Sequence, residues 1–235
     1  MSEQTPKTVE HKGCTWHLMV PSNIDTEIEA GRDWEPIVTR WILDFLKPGM
    51  VAVDAGANIG WFTVLMSKAV APAGKVIAIE PCKRFLDRLE RNIGANHLEN
   101  VRVFDLALFH RTQEMTCVLN QGPYFSSAVV AVGHNPAIGE LTVGETLDRI
   151  FCGHRLDLLK IDIDGDEDRA LMGAAETIQM HRPRIAIEVA NREPVRILSD
   201  WGYDMVWEKG NRRVTPNDLP ISEANPTINL LCTPK

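Results

Sequence analysis

The run Asp54-Ala55-Gly56-Ala57-Asn58-Ile59-Gly60 sets an acid ahead of three residues that tolerate unusual backbone. Gly56 permits a tight turn and close approach of a ligand to the main chain, Asn58 is the non-glycine type most tolerant of positive φ, and Gly60 lets the next helix pack closely on the strand. Glu80 ends another apolar run twenty positions beyond Gly60, where an acid can accept both ribose hydroxyls of an adenosine. The glycines alone indicate only a β-α turn; with Asp54 and Glu80 they point to nucleoside binding. A nicotinamide fingerprint expects G-x-G-x-x-G, whereas the small residues here fall at G-x-N-x-G behind an aspartate. A P-loop is excluded because no Gly-Lys-Ser/Thr follows.

These residues need elements that hold them at one rim. Val51-Ala52-Val53-Asp54, Lys75 to Glu80, Leu156 to Asp162 and Arg184 to Glu188 are apolar runs that each end in an acid. Runs without polar alternation predict strands buried on both faces, as in a parallel sheet. Between them Phe62, Leu65, Met66 and Ala69, then Phe85, Leu86, Leu89 and Ile93, then Ala170, Leu171, Ala174 and Ile178 keep helical spacing, giving each helix one apolar stripe. Alternating strands and helices with short connections predict right-handed crossovers and a doubly wound α/β fold, with ligands beyond the carboxyl ends of the strands. Residues 1–48 read as an N-terminal extension with a helix from Asp33 to Leu46, capped by Asp33 and stopped by Pro48-Gly49; residues 49–235 read as one globular unit. Val101 to Val143 reads as strands with turns at Gln121-Gly122-Pro123 and Gly133-His134-Asn135-Pro136. Tyr203 to Glu208 and Thr227 to Cys232 read as final strands joined by the polar stretch Lys209 to Arg213.

The D-x-G-x-N-x-G run resembles motif I of S-adenosylmethionine-dependent methyltransferases, and more narrowly the FkbM-type family. The resemblance continues through Gly74 to Pro81, the Asn92 to Asn96 helix end, Val101 to Leu108, Thr146-Leu147-Asp148, Lys160-Ile161-Asp162-Ile163-Asp164-Gly165 with Glu167, and Arg184 to Val189. It covers about residues 50 to 205 in the family's order. Asp164-Gly165-Asp166 departs from the family's usual Glu-Gly-Ala. The resemblance implies a Rossmann-like seven-stranded sheet, mostly parallel with an antiparallel last strand and helices on both faces. It also implies S-adenosylmethionine as cofactor and methyl transfer to oxygen, often a hydroxyl of a sugar, glycan or other small molecule. On that reading Asp54 and the amides of Gly56, Asn58 and Gly60 position the methionine end, Glu80 the ribose, and Asp105, Leu106 and Ala107 the adenine.

Methyl transfer is an in-line displacement whose barrier falls mainly through positioning, and a hydroxyl acceptor needs a base or a metal to remove its proton. Asp162 and Glu188 end neighbouring strands and, with Lys160, are the catalytic candidates. They can orient the hydroxyl, take its proton, or hold a divalent cation such as Mg, with Asn191 as a third oxygen. Lys160 shares a face with Asp162 and is expected to pair with it; as a base it would need a lowered pKa, which a carboxylate neighbour opposes. Asp164 reads equally as a site acid or as an N-cap whose box Glu167 closes, and His134 reads as a loop histidine. Trp61 reads as packing. Two competing functions remain: a non-catalytic nucleoside or S-adenosylmethionine-binding module, and an NAD-dependent oxidoreductase.

The chain has 235 residues and a formal net charge of −7, which disfavours a nucleic-acid backbone as main partner. No stretch reaches the length of a membrane helix and the polar start shows no apolar leader core, so a cytoplasmic location without membrane contact is expected. Five scattered cysteines predict buried thiols rather than disulfides or zinc. The acceptor pocket is expected from the N-terminal helix and residues 120 to 145. Nothing sets the oligomeric state, for which a twofold homodimer is the default.

Overall fold

The computed structural model describes residues 7–19, 22–119, 128–153, 155–209, 211–222 and 226–235. The turn at Gln121-Gly122-Pro123 lies outside the described residues. In chain order the elements are β1 (Lys7–His11), β2 (Cys14–Leu18), α1 (Asn23–Glu29), α2 (Pro36–Phe45), β3 (Val51–Ala55), α3 (Trp61–Val70), β4 (Lys75–Ile79), α4 (Lys83–Ala95), β5 (Val101–Phe104), β6 (Ala107–Leu108) and β7 (Gln113–Leu119). There follow β8 (Ala128–Val132), β9 (Glu140–Glu145), α5 (Leu147–Ile150), β10 (Leu158–Ile161), α6 (Glu167–Met172), α7 (Ala175–His181), β11 (Arg184–Val189), α8 (Glu193–Asp200), β12 (Tyr203–Trp207), β13 (Arg212–Val214) and β14 (Ile228–Pro234).

The central sheet runs β13-β12-β14-β11-β10-β3-β4-β5, with β11 to β5 parallel and β14 antiparallel to both neighbours. Among the described residues it has eight strands rather than the expected seven. The eighth is β13, which begins inside the polar stretch read as a connection and pairs antiparallel with β12.

Strand periodicity divides the core into two layers. Ala52, Val76, Leu158 and Ala186 face α3, α2 and the N-terminal hairpin, sharing one apolar cluster with Trp16, Ile28, Val38, Ile42 and Met66. Val53, Leu159, Ile161, Ile185 and Ile187 face the other way, onto Ala170, Leu171, Ile178, Val195 and Leu198 of α6, α7 and α8. The N-terminal extension therefore completes the same core as the sheet. Side-chain amides seal its join: Asn92 and Asn96, one turn apart on α4, accept from the backbone amides of His17 (2.8 Å) and Thr15 (2.9 Å), so α4 stands in for a neighbouring strand along β2.

Three local expectations change. The helix predicted from Asp33 begins at Pro36, and Asp33 pairs with His11 (3.0 Å) and Lys12 (2.9 Å) instead of capping it. The single helix spanning Ala170 to Ile178 is two, α6 and α7, broken at Gly173-Ala174. Asp164 does not cap α6: Asp166 occupies that position in left-handed backbone, and Glu167 accepts from the Gly165 amide at 2.8 Å. Glycine at 165, with φ 127°, carries the chain into a conformation that a capping box does not use. Val101 to Val143 forms strands as expected, and β6 to β9 make a second sheet in the order β6-β9-β7-β8.

Candidate active site

The loop between β3 and α3 takes the backbone its residue types allow, with φ 77° at Gly56, 51° at Asn58 and 92° at Gly60. Gly56 is needed for space as well as for φ: a Cβ there would lie 1.7 Å from the Asp162 carbonyl oxygen. The turn thus presses against the end of β10 and separates two cavities that both touch Gly56, Asn58, Asp162 and Asp164.

The larger cavity, about 260 Å³, has Gly56, Asn58 and Glu80 on one wall and the second sheet on the other. Glu80 lies where an acid at the end of β4 was expected. Its two carboxylate oxygens accept the amides of Asn58 (2.8 Å) and Cys82 (2.9 Å), leaving lone pairs for a ligand's hydroxyl donors. Burial pushes its pKa up to about 8, against the pull of those two amides. Ala107 lines this cavity, followed by Leu108 and Phe109, with Met115 and Val130 from β7 and β8 opposite. Of the other two adenine candidates, Asp105 is exposed and Leu106 packs toward the core. The apolar slot of Phe85, Phe109, Met115 and Ile163 was not read from the sequence, because residues from four elements form it; the alternation within β7 and β8 was the available signal.

Asp54 sits deeper than a direct ligand contact. It is fully buried, Oδ2 accepts the Thr63 hydroxyl at 2.6 Å, and Oδ1 has no hydrogen-bond partner. Its nearest cation is Lys160, 3.9 Å from Oδ1. Burial raises its pKa, which Lys160 and Thr63 partly oppose. Lys160 pairs with Asp162 at 2.9 Å, as their shared strand face predicted, and lies 4.6 Å over the Phe62 ring. Burial works to lower the Lys160 pKa, but Asp162, Asp54 and Glu35 together outweigh it and hold it above the ordinary lysine range. Lys160 is therefore a fixed cation that orders carboxylates, not a proton acceptor.

The smaller cavity, about 170 Å³, brings Lys160, Asp162 and Glu188 together and adds Trp34, Glu35 and Phe62. Glu188 accepts the Thr227 hydroxyl at 2.7 Å, and burial followed by the Asp162 charge raises its pKa. Asp164, at the mouth, is pushed up to about 7 by loss of water and then by Asp162 and Glu188; Glu167, buried beneath, reaches about 7 chiefly through burial. Asn191 does not join them, because its Oδ1 accepts the Glu193 amide at 2.9 Å at the start of α8. Among the described residues no group of three or more His, Cys, Asp or Glu side chains is arranged to hold a metal ion. Trp61 touches this cavity but mainly packs: it stacks on His11 and donates to the Thr39 hydroxyl at 2.9 Å. His134 is exposed, and His154 lies outside the described residues. Glu35 is the acid that sequence reasoning missed; its only signal was a carboxylate directly before the proline that opens α2.

The methyltransferase FkbM domain matches residues 54–205, from the aspartate of the glycine loop to β12. Methyltransferase sdnD of Sordaria araneosa is 24% identical over 244 aligned residues, covering 87% of this chain and 92% of that protein. The structure of an FkbM methyltransferase from Methylobacillus flagellatus superposes with a TM-score of 0.52 at 19% identity over 83% of this chain, which spans about half (50%) of that protein. A S-adenosylmethionine-dependent O-methyltransferase from Thermotoga maritima superposes with a TM-score of 0.52 at 16% identity, covering 99% of this chain and 79% of that one. The match runs from the glycine turn bent against β10, through the acid closing β4, to β12 of a mostly parallel sheet, and the chain belongs to the FkbM family of S-adenosylmethionine-dependent methyltransferases.

Proposed function

We propose that this methyltransferase acts on a hydroxyl oxygen of a small molecule or glycan. The observation that carries the reading is the pair of cavities on either side of Gly56 and Asn58, one with an apolar slot beside a ribose-competent acid and the other ringed by carboxylates around Lys160. S-adenosylmethionine supplies an electrophilic methyl group on a sulfonium, so what an oxygen acceptor still requires is orientation and loss of its proton. The residues fit the cofactor: Gly56 offers backbone without a Cβ, Glu80 keeps lone pairs for the ribose, and Phe85, Phe109 and Met115 give an apolar berth for a base. Asp54 supports from behind by holding Thr63 of α3 and balancing Lys160.

On the acceptor side, Lys160 fixes the Asp162 carboxylate toward the cavity, and Asp162 and Glu188 accept hydrogen bonds from an incoming polyol. A weakly nucleophilic hydroxyl requires such acceptors, whereas a neutral amine does not.

The test is transfer of labelled methyl from S-adenosylmethionine to sugars, lipoglycans and polyketide alcohols, with the matching amines alongside. Label in an ether product supports the reading, and label in amines alone overturns it. Chelator separates the two roles of the Asp162–Glu188 pair. Unchanged turnover is expected for carboxylates acting directly, and loss restored by Mg would assign the pair to a divalent cation.

A further inference from the structure

Glu35 comes from outside the stretch that carries the family match, yet it reaches the acceptor-side cavity. Its backbone lies at φ 42°, ψ 66°, immediately before Pro36. A non-glycine residue in that region costs about 1–2 kcal/mol, and a following proline further disfavours helical backbone. A residue in the N-cap position ordinarily turns its side chain back onto the first amides of the helix. Glu35 makes no such bond. Its carboxylate instead crosses to the sheet, where Oε1 accepts from Asn229 Nδ2 of β14 at 3.0 Å and Oε2 is buried without a partner. The charged groups around it are Lys160 and Asp162 at the end of β10, Glu188 of β11 and Asp164 at the mouth, with Glu208 sharing Asn229 from β12's end at 3.4 Å. Lys160 is engaged by Asp162, and Glu188 already accepts from Thr227. Strained backbone, an unmade cap and an orphaned oxygen at one residue are explained together if Oε2 meets a donor on the acceptor.

We infer that Glu35 is the catalytic base of the transfer proposed above. Its Oε2 takes the acceptor hydroxyl's proton as that oxygen bonds to the methyl carbon and the carbon–sulfur electron pair retires to sulfur. The inference rests on the hydroxyl reading. Burial, then the Asp162 charge, lifts the Glu35 pKa to about 7, so that near neutral pH the carboxylate is both present and basic. The activity it supports falls as pH drops below that value and Glu35 takes up a proton from solvent.

The test uses Glu35→Gln, which keeps an oxygen for Asn229. With methyl glycosides and aliphatic alcohols as probe acceptors, and amino sugars as the amine arm, the variant should bind S-adenosylhomocysteine within twofold of wild type. It should lose about 10²–10⁴-fold in kcat and lack the acidic limb of the pH profile. Carbon-13 NMR of glutamate-labelled, ligand-free protein should show carboxyl signals with midpoints near 7 for Glu35 and Glu167, of which the Glu35 signal alone is absent in the variant. Wild-type transfer to alcohols with the variant unimpaired overturns the role of Glu35 alone. Transfer to amines alone overturns the hydroxyl reading and the base with it, and a Glu35 signal titrating in the ordinary glutamate range overturns the base whatever the acceptor.

Discussion

Lys160→Met is the most informative single change. The ammonium is 3% exposed, 2.9 Å from Asp162 and 3.9 Å from Asp54, which is itself 0% exposed. Methionine fills similar space over the Phe62 ring, so the perturbation is mainly loss of charge. Asp162 at the rim can turn to water, whereas buried Asp54 keeps only its bonds from Thr63, with Oδ1 left unpaired. Removing one partner of a buried pair costs about 3–5 kcal/mol, because the remaining charge is uncompensated. At roughly 2–4 °C per kcal/mol for a chain of this size, Tm should fall by about 6–20 °C.

The loss should depend on pH with a definite sign. Burial already raises the Asp54 pKa, and removing Lys160 removes the largest opposing influence. A carboxyl whose folded pKa exceeds its unfolded value binds more protons when folded, so its stability contribution is full below the unfolded pKa and is lost as pH rises through the folded one. The deficit of Lys160→Met should therefore be smallest near pH 4 and widest above neutrality. Adding Asp54→Asn should recover part of it at pH 8. Urea unfolding of the four-member cycle at pH 5 and pH 8 measures both effects. A single variant within about 1 kcal/mol of wild type at pH 8, with no pH dependence and no coupling to Asp54, would refute the claim that the Lys160 charge holds Asp54 in place.

Two further outcomes follow from the loop and the end of β4. Gly56→Ala places a methyl 1.7 Å from the Asp162 carbonyl oxygen at φ 77°, so the turn must move; destabilisation of about 2–5 kcal/mol and loss of S-adenosylhomocysteine binding are expected in thermal melts and calorimetry, and unchanged values would show that the turn has room. Above pH 8, where the Glu80 carboxyl is ionised, Glu80→Ala removes a charged acceptor worth about 1.5–3 kcal/mol to ribose hydroxyls, so the Kd for S-adenosylhomocysteine should rise about 10–150-fold there, and unchanged affinity would place the ribose elsewhere.

What could be read from the sequence were features written in consecutive residues. Buried parallel strands announce themselves as unbroken apolar runs, and the glycine loop as residues that tolerate positive φ. The Lys160–Asp162 pair follows because strand side chains alternate faces. These local rules alone put Asp54, Gly56, Asn58 and Gly60 in one turn and Glu80, Asp162 and Glu188 at strand ends on the same edge of the sheet. The same rules failed where the chain left them. The capping alternative for Asp164 and Glu167 lost to a left-handed, glycine-bearing connection, and α6 and α7 looked continuous because their apolar stripe continues across the break at Gly173. Gly173 lies against the Phe109 carbonyl, a constraint from another element: a Cβ there would sit 1.9 Å from that oxygen.

The sequence by itself determined the glycine turn after β3 and the acid closing β4, because a tight turn at positive φ is a demand on one continuous stretch of backbone. Only the tertiary structure decided which acids are buried, which are paired, and what stands opposite them. Met115 and Phe109 become a wall, Asp54 a support rather than a contact, and Glu35 a neighbour of Glu188, because the second sheet and the N-terminal extension close over the rim. Burial and the approach of charges distant in sequence set the proton affinities in that cavity, and neither is encoded in residue spacing.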